Sequence, residues 1–361
     1  MACRLCDRPA RWPTGAGRVY VSAPVSEINT KILDLVRGWP ESLVFREGAL
    51  EGETQDFSAF LGRFLGLVPW SAVEKDGVSV LFLPRGQELT FASSREARSL
   101  AQWFALQEAE FLARIVEDKA LVTHFHPIWD LRTDVLYGWE CLTRGVAADG
   151  ALIPPGRLFP AAAASGMTFP LDRLSRQTAL RSAQAAALPG RLFINFIPTA
   201  IYDPVFCLKT TVDLAEALGL DPGRIIFEVV ESEQIDDEAH LKAIVDYYRK
   251  KGFRVALDDV GSGYSSLNLL VALKPDVIKV DIKIVRNIDT EPANQAVFRA
   301  LAGIAQESGA LLLAEGVETP AEAEWTRNHG ADLGQGFLWG PPQAHPDPAT
   351  PMTQGRRTRT G

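Results

Sequence analysis

Cysteine is scarce: four in 361 residues, at positions 3, 6, 141 and 207. So few and so scattered, they cannot build a disulfide framework. Cys3 and Cys6 form one CxxC, half of a zinc site, but no second CxxC or close His pair follows to make four ligands, so an exposed, reduced pair is the plainer reading. Long apolar runs are also missing. None approaches the ~18–20 residues a membrane helix needs, and "GALLLAEGV" is soon broken by charge. The opening "MACRLCDRPARWP" has no apolar core of the signal-peptide type, so a cytoplasmic protein without a membrane partner is expected. Positive charge is short as well. A formal net charge of -8 argues against a general electrostatic grip on DNA.

What is present looks globular. The chain is 47% hydrophobic and 23% charged, and its length suits one barrel of about 250 residues plus a unit of about 100. From about residue 120, β-like runs alternate with segments of helical length. The runs are "LVTHFHPIWD", "VLYGWECLT", "RLFINFI", "RIIFEVVE", "FRVALDD", "DVIKVD", "ALLLAEG" and "ADLGQGFLW". This pattern predicts an α/β fold, a modified (β/α)8 TIM-like barrel over residues 120–345. Only "LRTD" separates the first two runs, too short for a helical crossover, so an irregular antiparallel first strand is expected. Residues 1–100 predict a small α/β regulatory or interaction domain, with strands at "RVYVSA", "SLVFRE" and "VSVLFLP". Sustained helical periodicity predicts a linker helix over 101–119, and 346–361 is expected to be a disordered tail.

The barrel strands share a feature at their ends. In order these carry Glu140, Asn195, Glu228, Asp258 with Asp259, Lys279 with Asp281, Glu315 and Gln335. Any one of these is ordinary, because strand ends are where polar residues belong. Together at one mouth the carboxylates would repel one another unless cations were bound, so the set implies metal. Oxygen ligands without His or Cys favour Mg²⁺ or Mn²⁺ over zinc. Two such ions about 4 Å apart suit phosphodiester hydrolysis, and an adjacent Asp pair can place one carboxylate between them. Lys279 could orient a water or stabilise developing charge. "DDVGSG" itself reads as a turn after the fifth strand.

The set "GWECLTR", "INFIP", "FEVVES", "ALDDVGSGYSSL", "IKVD", "AEGVE" and "QGF" resembles the EAL domain of bacterial cyclic-di-GMP phosphodiesterases, over about residues 120–343. The resemblance implies hydrolysis of cyclic-di-GMP to linear pGpG with two Mg²⁺ or Mn²⁺ ions, Ca²⁺ being inhibitory. It implies that Glu140, Asn195, Glu228 and Asp258 hold the first metal, with Asp258 as bridge, and that Asp259 and Glu315 serve the second. Lys279 matches the lysine that holds the attacking water, making Lys279, Glu140 and Glu315 the catalytic group. Arg144, Leu142, Gln335, His126 and Asp281 fall where substrate is bound, and Glu231 matches a glutamate that braces the loop after the aspartate pair. A homodimer through the barrel and a regulatory protein acting on the N-terminal domain are the expected partners. The other reading is a catalytically silent cyclic-di-GMP receptor that signals through a protein partner.

The chain departs from the family pattern in places. Cys141 stands where alanine is usual, Val260 where Phe is usual, Ser262 for Thr, Val230 for Thr, His126 for Gln and Ala163 for Glu. Val260 removes an aromatic packing group beside the aspartate pair. Trp129, Trp139 and Trp339 are core or rim aromatics by default, with stacking on a base as the functional alternative.

Overall fold

The computed structural model describes residues 13–346 except 42, 47, 68, 231–237 and 262–265. Cys3, Cys6, Glu231 and Ser262 lie outside the described residues. The chain divides into two compact units.

The first unit runs to Glu117 and includes Gly156–Met167. Its strands are β1 (Gly17–Ser22), β2 (Val44–Arg46), β3 (Ala49–Thr54), β4 (Ser79–Pro84) and β5 (Arg98–Ser99), in the order β2-β3-β1-β4-β5, all antiparallel. Alternation sets the faces: Val19 and Val21 of β1 point inward, Arg18 and Ser22 outward. Helix Phe57–Leu65 starts where the Asp56 carboxylate accepts from the Ala59 amide, and it buries Phe57, Phe60, Leu61, Phe64 and Leu65. Phe57 stacks on Phe82 of β4 with ring centroids 4.3 Å apart.

Two features of this unit differ from the sequence reading. β3, "ALEGET", has no apolar alternation to announce it; it is a strand because β1 and β2 pair with both its edges. The run read as one sustained helix is two, Leu100–Glu108 and Glu110–Asp118, parted at Ala109. Leu100, Trp103 and Leu106 lie in the core of this unit, and Trp103 Nε1 donates to the Val80 carbonyl at 3.2 Å. The first of these helices therefore packs into the core of this unit.

The second unit contains β6 (Leu121–Asp130), β7 (Val135–Val146), β8 (Leu152–Ile153), β9 (Arg191–Phe196), β10 (Ile225–Val230), β11 (Arg254–Val260), β12 (Val277–Val280), β13 (Leu311–Ala314) and β14 (Leu333–Gln335). Hydrogen bonding runs β6-β14-β13-β12-β11-β10-β9-β7 and returns from β7 to β6, closing a ring of eight, with β8 on the outer edge of β7. β6 is antiparallel to both its neighbours, as the four-residue link to β7 requires. The other ring pairings are parallel. Helices such as Thr168–Ala185, Glu238–Lys250 and Pro292–Ser308 pack Leu180, Leu241 and Phe298 against the strands.

The ring has an apolar floor of Ile128, Phe193, Ile226, Ala256, Val277, Leu313 and Leu333, one from each strand but β7. Side chains two apart on a strand share a face, so the next inward residue on each parallel strand lies one layer nearer the mouth. Those residues are Asn195, Glu228, Asp258, Lys279, Glu315 and Gln335. On antiparallel β6 the same step runs backward, from Ile128 to His126. The floor is apolar and the layer above it is polar and mostly ionisable.

Candidate metal centre

Lys279 sits at the middle of this layer and is fully buried. Its Nζ lies 2.7 Å from Glu315 Oε1, 2.7 Å from Glu228 Oε1, 2.9 Å from Asp258 Oδ1 and 3.4 Å from Glu140 Oε1. The ring is laced further at its edges. Gln335 Nε2 donates to Glu140 Oε2 at 2.9 Å, and Asn195 Nδ2 donates to Glu228 Oε2 at 3.0 Å. With its NH₂ committed to Glu228, the Asn195 carbonyl oxygen is left for a cation.

The carboxylates fall into two groups whose donor atoms lie within 4.8 Å of one another: Glu140, Glu228 and Asp258, and then Asp258, Asp259 and Glu315. Asp258 belongs to both. Asp258 and Asp259 are consecutive, and successive side chains on a regular strand point to opposite faces. Here the backbone departs from regularity: Asp259 has φ 56°, and the register to β12 slips between Leu257 and Val260. This bulge lets both carboxylates serve one mouth. The sequence reading of "DDVGSG" as a turn is corrected accordingly, since β11 continues through both aspartates to Val260. Val260 is wholly buried in the barrel core, filling the place of the expected aromatic with a smaller side chain.

The electrostatics are strained in the direction of metal binding. Burial raises the Glu228 and Glu315 carboxyls well above the usual range against the pull of Lys279. Burial, then the neighbouring Asp258 charge, pushes Asp259 up to about 6. Burial also opposes ionisation of Glu140, but Lys279, His126 and Gln335 outweigh it and hold that carboxyl below its ordinary value. Burial works against the Lys279 ammonium too; the four carboxylates around it win and raise its pKa. One lysine thus faces four carboxylates, with Asp259 a fifth in the same centre. Glu228 Oε1 is fully buried with the Lys279 ammonium at 2.7 Å beside it. An all-oxygen donor set with surplus negative charge fits hard divalent cations.

The other sequence-predicted residues surround this centre. His126 is opposite Glu140 in the β6–β7 register, with Nδ1 3.9 Å from Glu140 Oε2. Burial lowers its pKa, with Lys279 reinforcing and Glu140 opposing. Leu142 and Arg144 follow Glu140 on the same face of β7, both half-buried, and Arg144 Nη1 donates to the Thr143 carbonyl at 2.9 Å. Asp281 does not share a strand face with Lys279, because β12 ends at Val280; it caps the short helix Ile282–Val285 by accepting from Lys283 N at 2.6 Å. Trp129, Trp139 and Trp339 are all buried, which leaves no ring face for a base. The exposed aromatic at the mouth is Phe337, 64% exposed, its ring centroid 6.3 Å from that of His126. The motif reading quoted it only as the last letter of "QGF".

A buried pair behind β9 also went unnoticed. Arg176 and Asp172, each 2% exposed, bond at 2.6 Å, and Arg176 also reaches the Thr211 hydroxyl. The other Asp172 oxygen accepts from the Ile197 amide at 3.0 Å, two residues beyond Asn195. Such a pair looks from sequence like any i,i+4 couple on a helix surface. Only its burial reveals that it anchors the strand end that carries Asn195.

Known proteins agree with this architecture. The EAL domain model matches residues 105–342. A standalone versatile EAL protein from Vibrio cholerae O395, solved with c-di-GMP bound, is 33% identical with a TM-score of 0.57, covering 62% of this chain and 92% of its own. BlrP1 from Klebsiella pneumoniae, solved as a manganese/cy-diGMP complex, covers 92% of this chain and 97% of its own at 22% identity and TM-score 0.57, a likeness of fold. The cyclic di-GMP phosphodiesterase PdeR of Escherichia coli (strain K12) is 31% identical over 236 residues, 64% of this chain and 35% of the relative. The chain spans between 30% and 48% of the length of such curated relatives. With a matched domain over most of its length and the acidic layer in place, the chain belongs to the EAL domain family.

Proposed function

We propose that the chain hydrolyses cyclic-di-GMP to linear pGpG with two divalent cations, Mg²⁺ or Mn²⁺. The observation that carries this is the pair of carboxylate groups that share Asp258 around a buried lysine. Glu140, Asn195, Glu228 and Asp258 would hold one cation, and Asp258, Asp259 and Glu315 the other. Bound there, such cations supply Lewis-acid charge to the phosphodiester and make a water nucleophilic near neutral pH. The protein's own groups do the rest. Lys279, held by Glu228 and Glu315, keeps a fixed ammonium where negative charge grows as water adds and the P–O bond breaks. Gln335 orients Glu140 by its hydrogen bond, and His126 stands on the other side of that carboxylate. Arg144 presents cationic nitrogen on the Glu140 face for the second phosphate, with Leu142 between them.

The reading extends to a protein that works in the cytoplasm as a homodimer through the barrel. Residues 1–100 would form its regulatory or partner-docking domain, joined by 101–119. No helix among the described residues is long and apolar enough to cross a membrane. The test is chromatographic: purified protein with cyclic-di-GMP and Mn²⁺ or Mg²⁺ should release pGpG, and Ca²⁺ should permit binding while stopping turnover. Dinucleotide bound but left intact with every cation would replace this reading with that of a silent receptor.

A further inference from the structure

The mouth is not the only charged end of the barrel. At the opposite end, where β9, β10 and β11 begin, Gly190, Arg191, Asp221, Gly223, Arg224 and Arg254 line an open cavity of about 380 Å³. That volume lies in the range of small-molecule sites. Register explains the convergence: Leu192 pairs with Ile225, and Ile226 with Arg254, so three neighbouring strands each bring an arginine to the same rim.

These arginines differ in how they are satisfied. Arg224 is committed, with Nε and Nη2 each donating at 2.7 Å to the Gly190 and Leu188 carbonyls. Arg191 and Arg254 have neither a hydrogen bond nor an ion pair among the described residues, and Arg191 Nε is buried without an acceptor. The Arg191 guanidinium is held in place over the Tyr137 ring, 4.7 Å from its centroid, and the Tyr137 hydroxyl is likewise buried and unpartnered. Asp221, the carboxylate among the lining residues, turns an oxygen back to the Gly223 amide at 2.9 Å, while Asp130 and Asp276 act on Tyr137 from nearby without forming an ion pair with Arg191 or Arg254. A chain of net charge -8 has ample acid to neutralise surface arginines, yet here two are left with open forks.

We propose that this cavity is a second ligand site, distinct from the metal centre, which takes a phosphoryl group through Arg191 and Arg254, with Arg224 shaping the floor. Planar guanidinium forks match the oxygens of phosphate bidentately, and an immobilised fork loses little freedom on binding. The ligand is either free phosphate or a small phosphomonoester. The inference stands apart from the proposed hydrolysis, because it uses no residue of the acidic layer.

Calorimetry on the full chain at constant ionic strength, with chelator and again with Mg²⁺, tests it. Inorganic phosphate and glycerol phosphate are the probes, with acetate and chloride as controls. A saturable signal with either phosphate, the same with and without Mg²⁺, supports the site; the stronger probe identifies the source. Arg191→Gln and Arg254→Gln should each weaken binding about tenfold or more. Arg191→Lys, which keeps charge but loses the fork, should weaken it nearly as much. Binding that is absent, equal for acetate, or unchanged in the folded double variant overturns the proposal.

Discussion

Asp258 and Asp259 are neighbours in the chain and also neighbours around the metal centre, which a regular strand forbids. The bulge at Asp259, with its left-handed φ of 56°, reconciles the two. It places Asp258 in both carboxylate groups and Asp259 in one. Asp259→Asn should therefore remove one cation and keep the other. Titration with Mn²⁺ should fall from two bound ions to one, with turnover down about 100-fold or more. Two ions retained at undiminished affinity would sink the assignment.

Lys279 acts as an internal counter-ion for four carboxylates. Removing one partner of a buried ionic cluster typically costs about 3–5 kcal/mol, since the others lose their compensation. Lys279→Met should lower the melting temperature of the metal-free protein and recover much of the loss with Mn²⁺, while turnover stays low. A variant as stable as wild type without metal would show that the cluster does not depend on this ammonium.

Asp259 links the centre to pH. Its carboxyl, raised to about 6 from an ordinary value near 3.8, favours the protonated form in the metal-free fold. For an acid whose folded pKa is raised, the stabilising contribution is full below the unfolded pKa and lost as pH rises through the folded one. The metal-free protein should lose this contribution between about pH 4 and pH 6. A cation needs the ionised form, so Mn²⁺ affinity should drop about tenfold from pH 7 to pH 5, with proton release on binding. Glu228 and Glu315, raised in the same direction, extend the trend. Affinity independent of pH across this span would contradict it.

How legible was this in the letters? The barrel was, because its strands carry apolar runs ending in one polar residue each, and the four-residue link "LRTD" dictated the antiparallel start. Glu140, Asn195, Glu228, Asp258, Lys279, Glu315 and Gln335 could be grouped from the sequence because strand ends in a barrel share a mouth, and the fold brings them into one layer. What stayed hidden depends on the third dimension. β3 is a strand by virtue of its neighbours and not its own alternation. The Asp259 bulge is a backbone event with no letter of its own. Asp281 lies two residues after Lys279, but the strand stops at Val280 and the aspartate caps a helix, which no letter of "IKVD" announces.

The buried Asp172–Arg176 pair yields the last prediction. Asp172 uses one oxygen for Arg176 and the other for the Ile197 amide, so it ties a helix to the exit of β9. Asn195 lies two residues before that tie, and its amide holds Glu228. Asp172→Asn keeps the shape but weakens the charge beside a fully buried guanidinium. Stability should fall by about 3 kcal/mol, as when a buried pair loses one charge. The positioning role predicts more than instability: Mn²⁺ affinity should also weaken several-fold at temperatures where the variant is fully folded. Loss of stability with unchanged metal affinity would reduce the pair to packing alone. Weakened affinity in the folded variant would place the support of the metal centre a full helix away from its ligands.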